Sequence, residues 1–122
     1  MKTFAALAAA ALLASTAAAA QDAEIGYPKG SLGYGAIISG DYASAERQIR
    51  ESNLSKYDPA RALNLGYVLA KTGRSDQAAK QFRRVLLQDD LELVLADGRT
   101  ITSHEAARKA LAALATNQVS GR

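Results

Sequence analysis

Residues 32–54, LGYGAIISGDYASAERQIRESNL, and residues 65–87, LGYVLAKTGRSDQAAKQFRRVLL, carry one pattern written twice. A shift of 33 residues lays Leu32-Gly33-Tyr34 on Leu65-Gly66-Tyr67, Gly40 on Gly73, Ala45 on Ala78, Gln48 on Gln81, Arg50 on Arg83 and Leu54 on Leu87. The same shift sets Ile49 on Phe82, apolar on apolar. These eight identities gather at glycine, alanine and apolar positions, where packing constrains a supersecondary unit most. The pattern predicts one unit copied twice.

The second copy is punctuated as two helices. Asp58 is placed to cap a first turn, Pro59 suits the first helical position, and Thr72-Gly73 closes the segment, so a helix is predicted from about Pro59 to Lys71. Ala62, Leu65 and Leu69 recur along it at helical spacing, and Gly66 between them permits close helix approach. A second helix starts at Ser75 or in the turn before it, with Ala78, Phe82, Val85 and Leu86 as its apolar stripe. Arg74, Asp76, Lys80, Arg83 and Arg84 fall mostly off that stripe. The first copy follows the same plan, roughly Lys29 to Ser39, a break at Gly40, then Asp41 to about Ser52 with Tyr42, Ala45 and Ile49. Gly30, Gly33 and Gly35 lie in its first helix, each at a cost of ~1 kcal/mol relative to Ala, so that helix is expected to lean on its neighbours.

Leu65-Gly66, Gly73, Ala78 and Phe82, together with Leu32-Gly33, Gly40-Asp41-Tyr42, Ala45 and Ile49, resemble the tetratricopeptide repeat, a helix–turn–helix unit of similar length. The likeness covers about Tyr27 to Gln88. It departs from the family where Lys29 and Ala62 replace a large residue early in the first helix, where Ser52 replaces a small apolar one, and where no Pro follows Leu86. Leu91 to Leu95 then alternates in part, Asp97-Gly98 is a two-residue hairpin turn signal, and Arg99 to Thr102 can pair back. Ser103 is expected to cap a last helix reaching about Thr116, with Glu105 and Lys109 four apart and Ala107, Leu111 and Leu114 along one side. The predicted fold is therefore mainly α. Two tetratricopeptide-like repeats (about 27–55 and 58–88) lead into a short β-hairpin (about 91–102) and a C-terminal capping helix (about 103–116). Repeats of this kind usually need about three units for stability, which gives the hairpin and last helix the role of a cap.

Before this domain, Lys2 and the Ala- and Leu-rich run from Phe4 to Ala20, ending in three alanines before Gln21-Asp22, read as a cleavable signal peptide over residues 1–20. A retained span would need ~20 strongly apolar residues, and Ala contributes little to insertion. Cleavage after Ala20 leaves a single domain, residues 21–122, with 14 basic against 12 acidic groups. The expected address is the bacterial periplasm or the exterior, with no stable membrane span. The chain has no Cys, which excludes disulfides, thiolate metal sites and Cys nucleophiles, and its one His, His104, excludes a multi-histidine metal site.

Function is expected to lie in binding. No phosphate loop, nucleophile elbow, HExxH or calcium loop is present, and Asp89-Asp90 lacks further spaced oxygen ligands, so no cofactor or metal is expected. Arg47, Arg50, Lys80, Arg83 and Arg84 are interspersed with acids and read as a solvated face, with no nucleic-acid partner. The family resemblance implies a groove lined by the first helices that holds a protein or peptide partner. In it Tyr34 and Tyr67, equivalent in the two copies, would join Leu63 and Lys71, with Asn64 and Ile38 nearby. The leading reading is a non-enzymatic protein–protein interaction module, an accessory of an envelope assembly. Two alternatives stay open: a small hydrolase or lyase using His104 with nearby carboxylates, which requires His104 beside a carboxylate, and a self-associating structural protein.

Overall fold

The computed structural model describes residues 27–95 and 97–120, so the signal-peptide assignment over residues 1–20 lies outside the described residues. The elements run α1 (Tyr34–Ile38), α2 (Tyr42–Glu51), α3 (Pro59–Lys71), α4 (Ser75–Leu86), β1 (Glu92–Val94), β2 (Thr100–Thr102) and α5 (Ser103–Ser120). The protein is mainly helical, with a two-stranded antiparallel hairpin before the last helix.

The repeat is visible bond by bond at the turns. Asp41 N–H donates to the Ala36 carbonyl at 2.8 Å, and 33 residues on Arg74 N–H donates to Leu69 at 2.9 Å. Gly40 N–H reaches Ile37 at 3.0 Å, and Gly73 N–H reaches Ala70 at 3.2 Å. Gly40 and Gly73 hold φ values of 81° and 82°. Both copies thus close their first helix with the same Schellman turn, which satisfies the last carbonyls and aims the next helix identically. Beyond the turn, Ala45 and Ala78 are both fully buried, as are Ile49 and Phe82.

Capping in the second copy follows the sequence. Asp58 accepts the Arg61 N–H at 3.0 Å, and Pro59 stands at the start of α3. In the first copy the helix expected from about Lys29 begins only at Tyr34. Gly30 and Gly33 sit at φ 81° and 67°, in the left-handed region, so residues 29–33 run as turns and not as helix. Asn64, fully buried on α3, ties this stretch down by donating its Nδ2–H to the Leu32 carbonyl at 3.0 Å.

The hairpin pairs Glu92 with Thr102, Leu93 with Ile101 and Val94 with Thr100. Leu95 N–H donates to Arg99 at 2.6 Å and Gly98 N–H returns to the Leu95 carbonyl at 2.9 Å, so the connection is longer than the expected two-residue turn. Gly98, at φ 88°, closes it. Ser103 is not the cap that was expected. Its hydroxyl is buried and accepts the Leu91 N–H at 2.9 Å, while Thr102 Oγ1 takes the Glu105 N–H at 3.2 Å and caps α5 in its place. The helix runs on to Ser120, past the expected Thr116, and carries the Glu105–Lys109 pair at 3.5 Å.

Leu93, Leu95 and Ile101 from the hairpin and Ala106, Ala107, Ala110 and Leu114 from α5 join the same core as the repeats. The last helix packs chiefly on α4 and less on α3, much as α3 packs on α2 before it. Hairpin and helix together cover the end of the second copy. An isolated hairpin is marginal in water, and here its inner face rests on helices.

Candidate functional site

The two first helices end side chains at equivalent places. Tyr34 and Tyr67 are 5% and 7% exposed, and one helical turn later Ile38 (55% exposed) and Lys71 stand at the surface. Burial raises the Tyr34 hydroxyl above its ordinary pKa. Tyr67 is pushed up to about 12, first by burial and then by the charge and hydrogen bond of Tyr42. The two rings meet edge to face, centroids 6.3 Å apart at 75°, and Lys71 Nζ lies 5.7 Å from the Tyr67 ring centre.

Of the six residues singled out in the sequence, the structure brings Tyr67 and Lys71 into direct contact and adds Tyr42. Leu63, 3% exposed, belongs to the core, and Asn64 fastens Leu32 from inside. The Asn64 Oδ1 has no acceptor contact among the described residues. Tyr42 was legible only as an apolar residue at the start of the second helix. Its pairing with Tyr67 depends on the turn geometry.

His104 is held by the chain around it. Its Nε2 lies 2.6 Å from the Gln88 carbonyl, and its backbone N–H donates to Asp90 Oδ1 at 2.9 Å. That N–H, the strongest influence on it, draws the Asp90 carboxyl below its ordinary range. The ring thus faces a carbonyl, while the carboxylate takes the backbone donor. The pairing a proton-transfer site requires is not formed.

Charge is organised elsewhere. Glu46 on α2 binds Arg74 through two bonds, 2.6 and 3.1 Å, and Arg50 at 2.8 Å. The Arg74 hydrogen bonds are the main reason its carboxyl sits below the usual range. This bridge joins the second helix of one copy to the start of the second helix in the other. A cavity of about 450 Å³ opens between residues 28–31 and the end of α2, where Lys29 and Glu51 leave it without a charge preference.

Among the described residues no group of three or more His, Cys, Asp or Glu side chains is placed to hold a metal ion. No described helix is long and apolar enough to cross a membrane. In comparisons with known proteins, no family model, no curated protein and no solved structure matches the chain.

Proposed function

We propose that the chain is an exported, tetratricopeptide-like interaction module that binds a peptide or protein partner across the ends of its first helices, as an accessory of an envelope assembly. The observation that carries this reading is the equivalent presentation of Ile38 and Lys71, each 33 residues apart and exposed one turn beyond a buried tyrosine. Tyr34 and Tyr67 form a rigid floor, and Ile38 and Lys71 offer one apolar and one cationic contact above it. Tyr42 and Lys71 on the Tyr67 ring give this floor a polar edge of the kind partner-binding surfaces use. The Ala-rich leader over residues 1–20 supports a periplasmic or secreted address.

The test places a photo-crosslinking residue at Ile38, at Lys71 or at the exposed Arg83, in cells producing the whole chain. A partner captured from positions 38 and 71 but not from 83 is the expected result. With that partner purified, Ile38→Asp and Lys71→Glu weaken binding by roughly tenfold, while Arg83→Glu leaves it within twofold. Equal capture from all three positions, or binding indifferent to both substitutions, removes the reading.

A further inference from the structure

Arg61 lies in the first turn of α3, and its Nε is closed off from solvent with no acceptor among the described residues. Burial, followed by the repulsion of the Arg50 and Arg84 guanidiniums, holds Arg61 below the usual arginine value, against the opposing pull of Asp58. One guanidinium therefore comes from the end of α2, one from the start of α3 and one from the end of α4. Three helices deliver like charges to one place.

The acids nearby do not neutralise that gathering. Glu46 holds Arg50 at 2.8 Å but is also gripped by Arg74 at 2.6 Å. Asp58 spends its Oδ1 on the Arg61 backbone N–H at 3.0 Å and on the Tyr27 hydroxyl at 3.3 Å. Arg84, half-buried, has no ion pair among the described residues. Cations packed together in partly dry surroundings repel one another more strongly than they do in water, so the arrangement is costly unless an anion joins it.

The chemistry of the missing anion follows from the donors. A carboxylate has two oxygens, and a single guanidinium fork uses both. A phosphomonoester carries about −1.5 to −2 charge and three acceptor oxygens, one for each guanidinium. We propose that Arg50, Arg61 and Arg84 form an oxyanion site that takes inorganic phosphate or the phosphate of a monoester. The site draws on both copies of the repeat and on three of its helices, so a bound phosphate also clamps the copies together.

Titration of the purified whole chain with inorganic phosphate, followed by phosphorus NMR at ionic strength held constant with sodium chloride, tests the site. Saturable binding is expected. Arg61→Gln and Arg84→Gln each weaken it by roughly tenfold, whereas Arg83→Gln, which removes the same charge from an exposed position on the same helix, leaves it within twofold. Without phosphate, Arg61→Gln melts at or above the wild-type temperature because a repulsion has been removed, and phosphate then raises the melting temperature of the wild type alone. Acetate at the same concentration produces roughly a tenth of the phosphate response or less. Vesicles carrying phosphatidic acid separate the two sources of a monoester: binding that inorganic phosphate competes away identifies a lipid headgroup, and indifference to vesicles identifies a soluble phosphate. The proposal fails if the response is linear in phosphate, if Arg83→Gln weakens it as much as Arg61→Gln, or if phosphatidylglycerol vesicles bind equally well and Arg61→Gln does not affect them.

Discussion

The first helix of the first copy has five residues and that of the second has 13, although the two occupy equivalent places in the repeat. Leu63 and Asn64 continue the helix in the second copy where Gly30 and Ser31 turn the chain in the first. Gly33 and Gly66 are identical in sequence and different in conformation, φ 67° in one and helical in the other. Both nonetheless face the same partner position. A Cβ on Gly33 would lie 3.1 Å from the Ile49 side chain, and one on Gly66 would lie 2.8 Å from Phe82 Cζ. What is repeated is the close approach of a backbone to a buried side chain of the second helix. The helix around that contact is optional.

This comparison is broken most severely at the contact itself. Phe82→Ala should cost about 3–5 kcal/mol in denaturant unfolding, more than Ile49→Ala, because the larger ring leaves the larger cavity. Gly66→Ala should cost about 1–3 kcal/mol despite the better helix propensity of Ala, since the Phe82 ring is rigid and buried and must shift to admit a methyl group. In a Phe82→Leu background most of the Gly66→Ala cost should disappear, and a double-mutant cycle that finds the two changes additive would refute the contact as the shared feature. Gly33→Ala should be destabilising for a different reason, the left-handed backbone, and Phe82→Leu should not rescue it.

A smaller effect tests how the helical copy supports the turned one. Asn64→Ala removes the donor that satisfies the Leu32 carbonyl and should cost about 1–3 kcal/mol, with hydrogen exchange rising first around residues 30–34. Unchanged protection there would mean that residues 29–33 hold their turns without help from α3.

The smallest effect is a pH window. Tyr27, beside Asp58, and Tyr67, beside Tyr42, are each pushed up to about 12, chiefly by burial, from an ordinary value of 10.0. The unfolded chain therefore loses these protons before the native one does, and stability should fall as the pH rises from about 10 to 12. Ultraviolet titration of phenolate, read beside the unfolding midpoint, checks both. Tyr27→Phe should soften the decline and loosen only the first copy.

The second copy was readable because its signals are local. Asp58, Pro59 and Thr72-Gly73 act on their nearest neighbours, and the helix they frame is the one observed. The repeat, the hairpin and the last helix were readable for the same reason. The first helix was misjudged because glycine was weighed as a weak helix former, whereas Gly30 and Gly33 take backbone angles that end a helix outright. Ser103 was misassigned because its competitor, the Leu91 N–H, is brought alongside by strand pairing and not by sequence proximity. The Tyr42–Tyr67 contact and the arginine cluster were hidden in the same way, since their members come from different helices and meet only after packing.

The bonds around His104 have a consequence for the architecture of the chain. The backbone leaves the helical stack at Gln88 and re-enters it at His104, and the two ends of this excursion are laced together by His104 Nε2 to Gln88, His104 N–H to Asp90 and Ser103 N–H to Leu91. Closing the base this way makes the tip a mechanical dead end, where length can change without moving either end. A peptide tag or a small fluorescent reporter spliced in after Gly98 would pay only the slowly growing entropy of a longer loop. The tip of the hairpin is thus a docking port for engineering, and the helices below it would carry the cargo unaltered.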